Sequence, residues 1–197
     1  MPPEAPAPAT PDPAAAFVLQ RRMLRACRAA AGRLKMADSL GTKLTGRELL
    51  TRILVAKRVL DRVLGPDEKR VGVLLPPTAG GAIVNAALAL SGRVAVNLNY
   101  TSTQPILDIC IERAGLEHVI SSPLFLSRVN LEVGEKLLDA GSLKKLATTA
   151  DKLVGFLQAT VVPLSLLERL LGLHRLRPGD VLTVIFTSGS TGDPKGV

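Results

Sequence analysis

Residues 71–98, VGVLLPPTAGGAIVNAALALSGRVAVNL, read as strand, turn, helix, turn and strand. Val71 to Leu75 is a short apolar run closed by Pro76-Pro77. Gly80-Gly81 then opens an Ala- and Leu-rich stretch, too long for a strand, that reaches Leu90 and stops at Ser91-Gly92. Val94 to Leu98 is apolar again. The rhythm continues downstream: Gln104 to Ala114 is amphipathic at helical spacing, Gly115 suits its C-terminal cap, and Val119-Ile120 is a further short strand. Strands separated by helices of this length run parallel, because the crossover returns the chain to the same edge of the sheet with right-handed sense. The expected fold is α/β: a layered, mostly parallel sheet with flanking helices.

On the N-terminal side, Thr45-Gly46-Arg47-Glu48 fits a capping box at the start of a helix through Leu49, Leu50, Ile53, Leu54 and Leu60, ended by Gly65-Pro66. Further upstream, residues 21–35 hold basic residues with no acidic one, and Met23, Leu24, Cys27, Ala31 and Leu34 recur at roughly helical spacing. Two readings of this segment stay open. It is a helix lying on an anionic lipid surface, a peripheral membrane contact, or a helix whose charged face is solvated while the other packs on a neighbouring domain. Residues 1–13 hold six prolines and no apolar period, so residues 1–16 are expected to be a disordered Pro/Ala-rich tail, residues 17–36 a basic helical segment, and residues 37–197 the folded part.

Composition narrows the function classes. With 197 residues and 47% hydrophobic content the chain can bury a core, which excludes a disordered polyelectrolyte. The most apolar stretch, residues 71–90, is broken by glycines and prolines, so no membrane span is expected. The N-terminus has no basic region followed by a long apolar one, and a cytoplasmic location is the default reading. The net charge of +8 comes mostly from the first 70 residues, and one tyrosine with no tryptophan leaves little for base stacking, so no nucleic-acid partner is expected. Cys27 and Cys110 lack the spacing of a disulfide framework or a zinc site and read as reduced core or helix residues. His118 and His174 have no spaced partners in sequence, and Asp108, Glu112 and Glu117 read as a solvated helix face.

Towards the C-terminus, Phe125 to Leu176 suggests two or three helices with Pro163 and Pro178 as breaks. Val181 to Phe186, apolar apart from Thr183, reads as a strand covered on both faces. It leads into Thr187-Ser188-Gly189-Ser190-Thr191-Gly192-Asp193-Pro194-Lys195-Gly196-Val197. Glycines admit backbone amides close to an anion, hydroxyls add donors, and Lys195 adds a mobile positive charge, a composition that suits phosphate. The pattern is neither a Walker A loop nor a dinucleotide fingerprint, because Pro194 precedes Lys195, Gly196 follows it, and the glycine spacing differs.

Residues 186–197 resemble the phosphate loop of the acyl-adenylate-forming (AMP-binding) superfamily at every position. Residues 44–50 and 71–77 are similar to its early helix and first sheet strand, and residues 94–101 look closest to the branch of fatty-acyl acyl-carrier-protein synthetase, often fused to 2-acylglycerophosphoethanolamine acyltransferase. The resemblance implies ATP-dependent activation of a fatty (carboxylic) acid as acyl-adenylate, with Mg²⁺, and transfer to the thiol of coenzyme A or acyl-carrier protein. It further implies that Thr187, Ser188, Gly189, Ser190, Thr191, Gly192 and Lys195 contact the ATP phosphates, with no catalytic residue and no metal ligand among these 197 residues. The family's adenine- and ribose-binding segments, hinge and small C-terminal domain have no counterpart here. The expectation is therefore a partial N-terminal AMP-binding domain over residues 37–197 that does not turn over alone. A noncatalytic nucleotide- or acyl-binding module and a membrane-associated interaction segment are the alternatives.

Overall fold

The computed structural model describes residues 18–188 and 194–196. Two helix–hairpin pieces precede the sheet: α1 (Leu19–Ala29), then the antiparallel pair β1 (Leu34–Ala37) and β2 (Lys43–Thr45), then α2 (Gly46–Val63). The sheet follows as β3 (Arg70–Val73), α3 (Ala79–Leu90), β4 (Val94–Asn97), α4 (Gln104–Ala114) and β5 (Val119–Ser121). Next come α5 (Pro123–Val129), β6 (Leu137–Asp139), α6 (Ala140–Lys145), α7 (Thr149–Thr160), α8 (Leu164–Leu170), β7 (Thr183–Ser188) and β8 (Pro194–Gly196). The six-stranded sheet has the order β6-β5-β3-β4-β7-β8, parallel throughout except that β8 runs antiparallel to β7. This is the expected α/β fold.

Strand alternation sends side chains to two cores. Val71, Val73, Ala95 and Ile120 point to one face and pack with α1, α2, α3 and α7, while Leu74, Val96, Leu98 and Val119 point to the other and pack with α4. The helix signals read from sequence act as expected. At the start of α2 the Glu48 amide donates to Thr45 Oγ1 (3.4 Å) and the Thr45 amide donates to Glu48 Oε2 (2.8 Å), completing the capping box. Gly115 caps α4 in the left-handed region at φ 61°. A Cβ there meets no other group but must adopt that conformation, so Gly115→Ala should lower stability by about 1 kcal/mol in a urea titration.

Three expectations require correction. The basic helix ends at Ala29, and residues Leu34–Ala37 form a strand across the expected boundary at residue 36. The cause is a head-to-tail contact: the Gly46 and Arg47 amides, unpaired at the start of α2, donate to the Ala30 and Ala31 carbonyls at the end of α1. Three of the basic residues of α1 reach other parts of the chain. Arg25 Nε donates to Glu168 Oε1 (3.1 Å), Arg21 Nε to the Leu173 carbonyl (3.2 Å), and Arg28 to the Thr160 and Val162 carbonyls at the end of α7. Among the described residues no helix is long and apolar enough to cross a membrane.

The second correction is β6, read as part of a helical stretch. Leu-Leu-Asp carries neither alternation nor β-branching, and pairing with β5 (Val119 with Leu137, Ile120 with Leu138) overrides its helical preference. The third is β7, which is not covered on both faces. Val184 and Phe186 pack towards α4, whereas Ile185, on the α3 side, is 52% exposed, because among the described residues no helix crosses that face beyond β4.

Candidate functional site

The connection β3–α3–β4 runs to one side of β3, whereas β4–α4–β5 returns to the other, and α3 and α4 cover opposite faces. The loops leaving β3 and β4 therefore diverge. In open α/β sheets such a reversal opens a crevice outside the carboxyl ends of the strands. A cleft of about 710 Å³ lies there, walled by Pro76 to Ala79 after β3, by Asn97 to Tyr100 after β4, and by Met36 to Ser39 from the β1–β2 turn.

Its walls are set by local chemistry. Asp38 Oδ1 accepts from the Leu40 and Thr42 amides, closing the β1–β2 turn, while Oδ2 accepts from the Ala79 amide (3.0 Å) at the start of α3. The Ala79 and Thr42 amides hold the Asp38 carboxyl below the usual carboxylate range. The positive end of α3 is thus already answered by a carboxylate. After β4, Asn99 Oδ1 accepts from the Thr101 amide and hydroxyl, and Tyr100 makes an edge contact with Phe125 (centroids 5.6 Å apart).

Beside this cleft β7 is locked onto β4. Asn97 Nδ2 donates to Asn85 Oδ1 (2.8 Å) and Thr183 Oγ1 (2.9 Å), and Thr183 Oγ1 donates to the Ala95 carbonyl (2.8 Å). One polar chain therefore joins α3, β4 and β7. β7 and β8 then form a hairpin in which Thr187 pairs with Lys195 and Ser188 with Pro194. Arg113 of α4 donates to the Pro194 carbonyl (2.8 Å), fixing β8. A smaller cavity of about 320 Å³ on the α4 side has Arg70, Arg113 and Lys195 among its walls.

Of the residues expected to contact phosphate, Thr187 and Lys195 sit opposite each other and exposed, with Thr187 Oγ1 donating to the Lys195 carbonyl (3.4 Å). Ser188 ends β7. Gly189, Ser190, Thr191 and Gly192 lie outside the described residues. The structure therefore brings the two flanks of the loop together at the carboxyl end of β7, the same end of the sheet as the cleft. Sequence reading did not single out Asp38, Asn85 or Asn97. Asn85 and Asn97 were visible only as lone amides inside apolar runs, and nothing in sequence says that they meet.

These features define an α/β protein with a cleft at the reversal of its strand order, flanked by a hydroxyl- and lysine-bearing hairpin. Residues 23–197 match the sequence profile of the AMP-binding enzyme family, and the chain belongs to that family. A nonribosomal peptide synthetase of Glarea lozoyensis, gloA, is 27% identical over 156 residues, 78% of this chain and 2% of that protein. Among solved structures, the N-terminal subdomain of Klebsiella oxytoca NpsA is 20% identical with a TM-score of 0.66, covering 90% of this chain and 40% of that one. VinN bound to 3-methylaspartate is 24% identical with a TM-score of 0.67, covering 92% of this chain and 47% of that one. The likeness to these structures is one of fold. The chain spans less than half the length of each of these relatives.

Proposed function

We propose that this chain supplies the ATP-phosphate-binding part of an enzyme that activates a carboxylic acid as its acyl-adenylate and passes the acyl group to a thiol on coenzyme A or a carrier protein. The observation that carries it is the β7–β8 hairpin, which presents Thr187 and Lys195 together at the carboxyl end of the sheet, joined by a segment of glycines and hydroxyls.

The donor set fits polyphosphate: hydroxyls and an ammonium group, with backbone amides freed by glycine. Thr187, Ser188, Gly189, Ser190, Thr191, Gly192 and Lys195 hold the β- and γ-phosphates in this reading and orient the α-phosphate towards the attacking carboxylate. Mg²⁺, carried by the nucleotide, would neutralise part of the charge on the phosphates. As the bond to the α-phosphate breaks, negative charge grows on the departing pyrophosphate, where pre-aligned donors stabilise it without reorganising. The Asn85–Asn97–Thr183 hydrogen bonds tie β7, and with it the hairpin, to the wall of the cleft.

The acid is a fatty acid on the likeness of residues 94–101, while gloA is named a nonribosomal peptide synthetase and VinN was solved with 3-methylaspartate. Pyrophosphate exchange by the complete protein that contains this chain, run against fatty, amino and aryl acids, separates these substrates. In the same assay Lys195→Ala should slow exchange by about ten- to a hundredfold. Unchanged exchange in that variant would remove Lys195 from the phosphate site, and no exchange with any acid would overturn the reading.

A further inference from the structure

We propose that Glu68, Glu117 and His118 form a site for a divalent transition-metal ion, best matched by zinc, at the amino-terminal edge of the sheet. β3 and β5 are neighbours, with Gly72 paired to Val119 and the Gly72 amide donating to the His118 carbonyl (2.9 Å). Glu68, two residues before β3, and Glu117-His118, directly before β5, therefore meet at one end of the sheet. That end is opposite the cleft and the hairpin, so this site is separate from any ion carried by a nucleotide.

The geometry is close to a ligand set already. His118 Nδ1 lies 3.1 Å from Glu68 Oε1 and 3.0 Å from Oε2, and one ligand atom from each of the three residues lies within 4.8 Å of the others. Zinc bonds of about 2.0–2.2 Å hold two ligand atoms no more than about 4 Å apart. The Glu68–His118 pair satisfies that limit, and the remaining closure falls to Glu117, which is exposed and free to change rotamer. Glu68 is held in place by its backbone, its amide donating to the Gly65 carbonyl (3.2 Å) and its carbonyl accepting from Arg93 Nε (3.1 Å).

The electrostatics point the same way. The Glu68 side chain is 2% exposed, and among the described residues its carboxylate has one partner, His118 Nδ1. A carboxylate offers about four acceptor positions, and a single imidazole proton fills at most two of them weakly. A bound dication would answer that buried charge directly. One imidazole with two carboxylates suits zinc or another first-row ion more than calcium or magnesium, which prefer oxygen alone. Water completes the coordination. The ion would clip together the entries of two neighbouring strands.

The test is a Co²⁺ and Zn²⁺ titration of the full chain, read by visible absorption for cobalt and by melting temperature for zinc. The expected result is saturation at one equivalent, with a melting temperature that rises with free zinc. Loss of an outer-shell partner alone weakens metal sites by about 10–100-fold, so His118→Gln and Glu117→Gln, both accessible positions, should weaken binding at least that much while keeping the parent circular dichroism spectrum. X-ray absorption of the zinc form should show nitrogen and oxygen neighbours only. Absence of saturable binding, unchanged affinity in both variants, or sulfur in the first shell from Cys27 or Cys110 would each overturn the proposal. None of these readouts depends on the adenylation chemistry.

Discussion

Gly46→Ala should cost about 3 kcal/mol of folding stability, a large share of the roughly 5–15 kcal/mol that is typical of a native domain. Gly46 opens α2 where that helix abuts the end of α1. A Cβ built there falls 2.1 Å from the Cys27 carbonyl oxygen and 2.7 Å from that of Ala30, both backbone atoms that cannot swing aside as a side chain would. Relief requires α1 and α2 to separate. Separation breaks the hydrogen bonds from the Gly46 amide to Ala30 (3.0 Å) and Arg33 (3.2 Å) and loosens Leu24 and Cys27 from the core they share with Leu50, Ile53 and Leu54. Gly32→Ala is the control, since no atom lies within 4 Å of its Cβ and the substitution should change stability by less than about 0.5 kcal/mol. Chemical denaturation of both variants decides the matter. A Gly46→Ala protein within about 1 kcal/mol of its parent would mean that α1 is not docked as described.

The contact at Gly46 also shows where sequence reading stops. Signals that act within a few residues were legible: the Thr45–Glu48 box, Gly115 as a left-handed cap, and the strand–helix alternation of residues 71–121. Each is a local competition between backbone partners. The T-x-x-D box of Thr148–Asp151 belongs to the same class and marks the start of α7 as plainly. What was not legible depends on distant residues. Glycine at position 46 looked like a neutral member of a capping box, and only the crossing of α1 makes it obligatory. His118 looked solitary because Glu68 is 50 residues away, and the parallel pairing of β3 with β5 joins them. The segment of residues 187–197 stood out because its composition is unusual over eleven consecutive residues. The antiparallel return of β8 was not, since Pro-Lys-Gly has no strand propensity of its own and pairs only because β7 offers it an open edge.

Asp151→Asn should lower the melting temperature by more than about 5 °C, and the loss should depend on pH in a way that a packing defect would not. Asp151 starts α7 and is 1% exposed. Its Oδ1 accepts from Arg58 Nε (2.9 Å) and Arg62 Nη1 (2.8 Å), and its Oδ2 from Arg62 Nη2 (2.8 Å), the Thr148 amide (3.1 Å) and the Thr148 hydroxyl (2.9 Å). This one carboxylate therefore fastens α7 to α2 across a tight crossing, where a Cβ on Gly155 would stand 2.8 Å from Val55. Asparagine keeps the shape but loses the charge, and its NH2 group donates where a carboxylate oxygen accepted, so one set of donors is left facing another donor. Hydrogen bonds from Arg62, then from Thr148 and Arg58, outweigh the cost of burial and hold the Asp151 carboxyl far below the usual carboxylate range. The unfolded chain binds a proton at this position near pH 3.9, whereas the folded chain does not until far more acidic conditions. The contribution of Asp151 is therefore complete above about pH 5 and declines as pH falls through 4 and below. Between pH 5 and 8 the gap in stability between parent and Asp151→Asn should stay constant, and below pH 4 it should narrow. Because Arg58 and Arg62 keep part of their surface in solvent, added salt should narrow it further. A gap that is unchanged down to pH 2 would assign the loss to altered packing and remove the ion-pair account of how α7 is held.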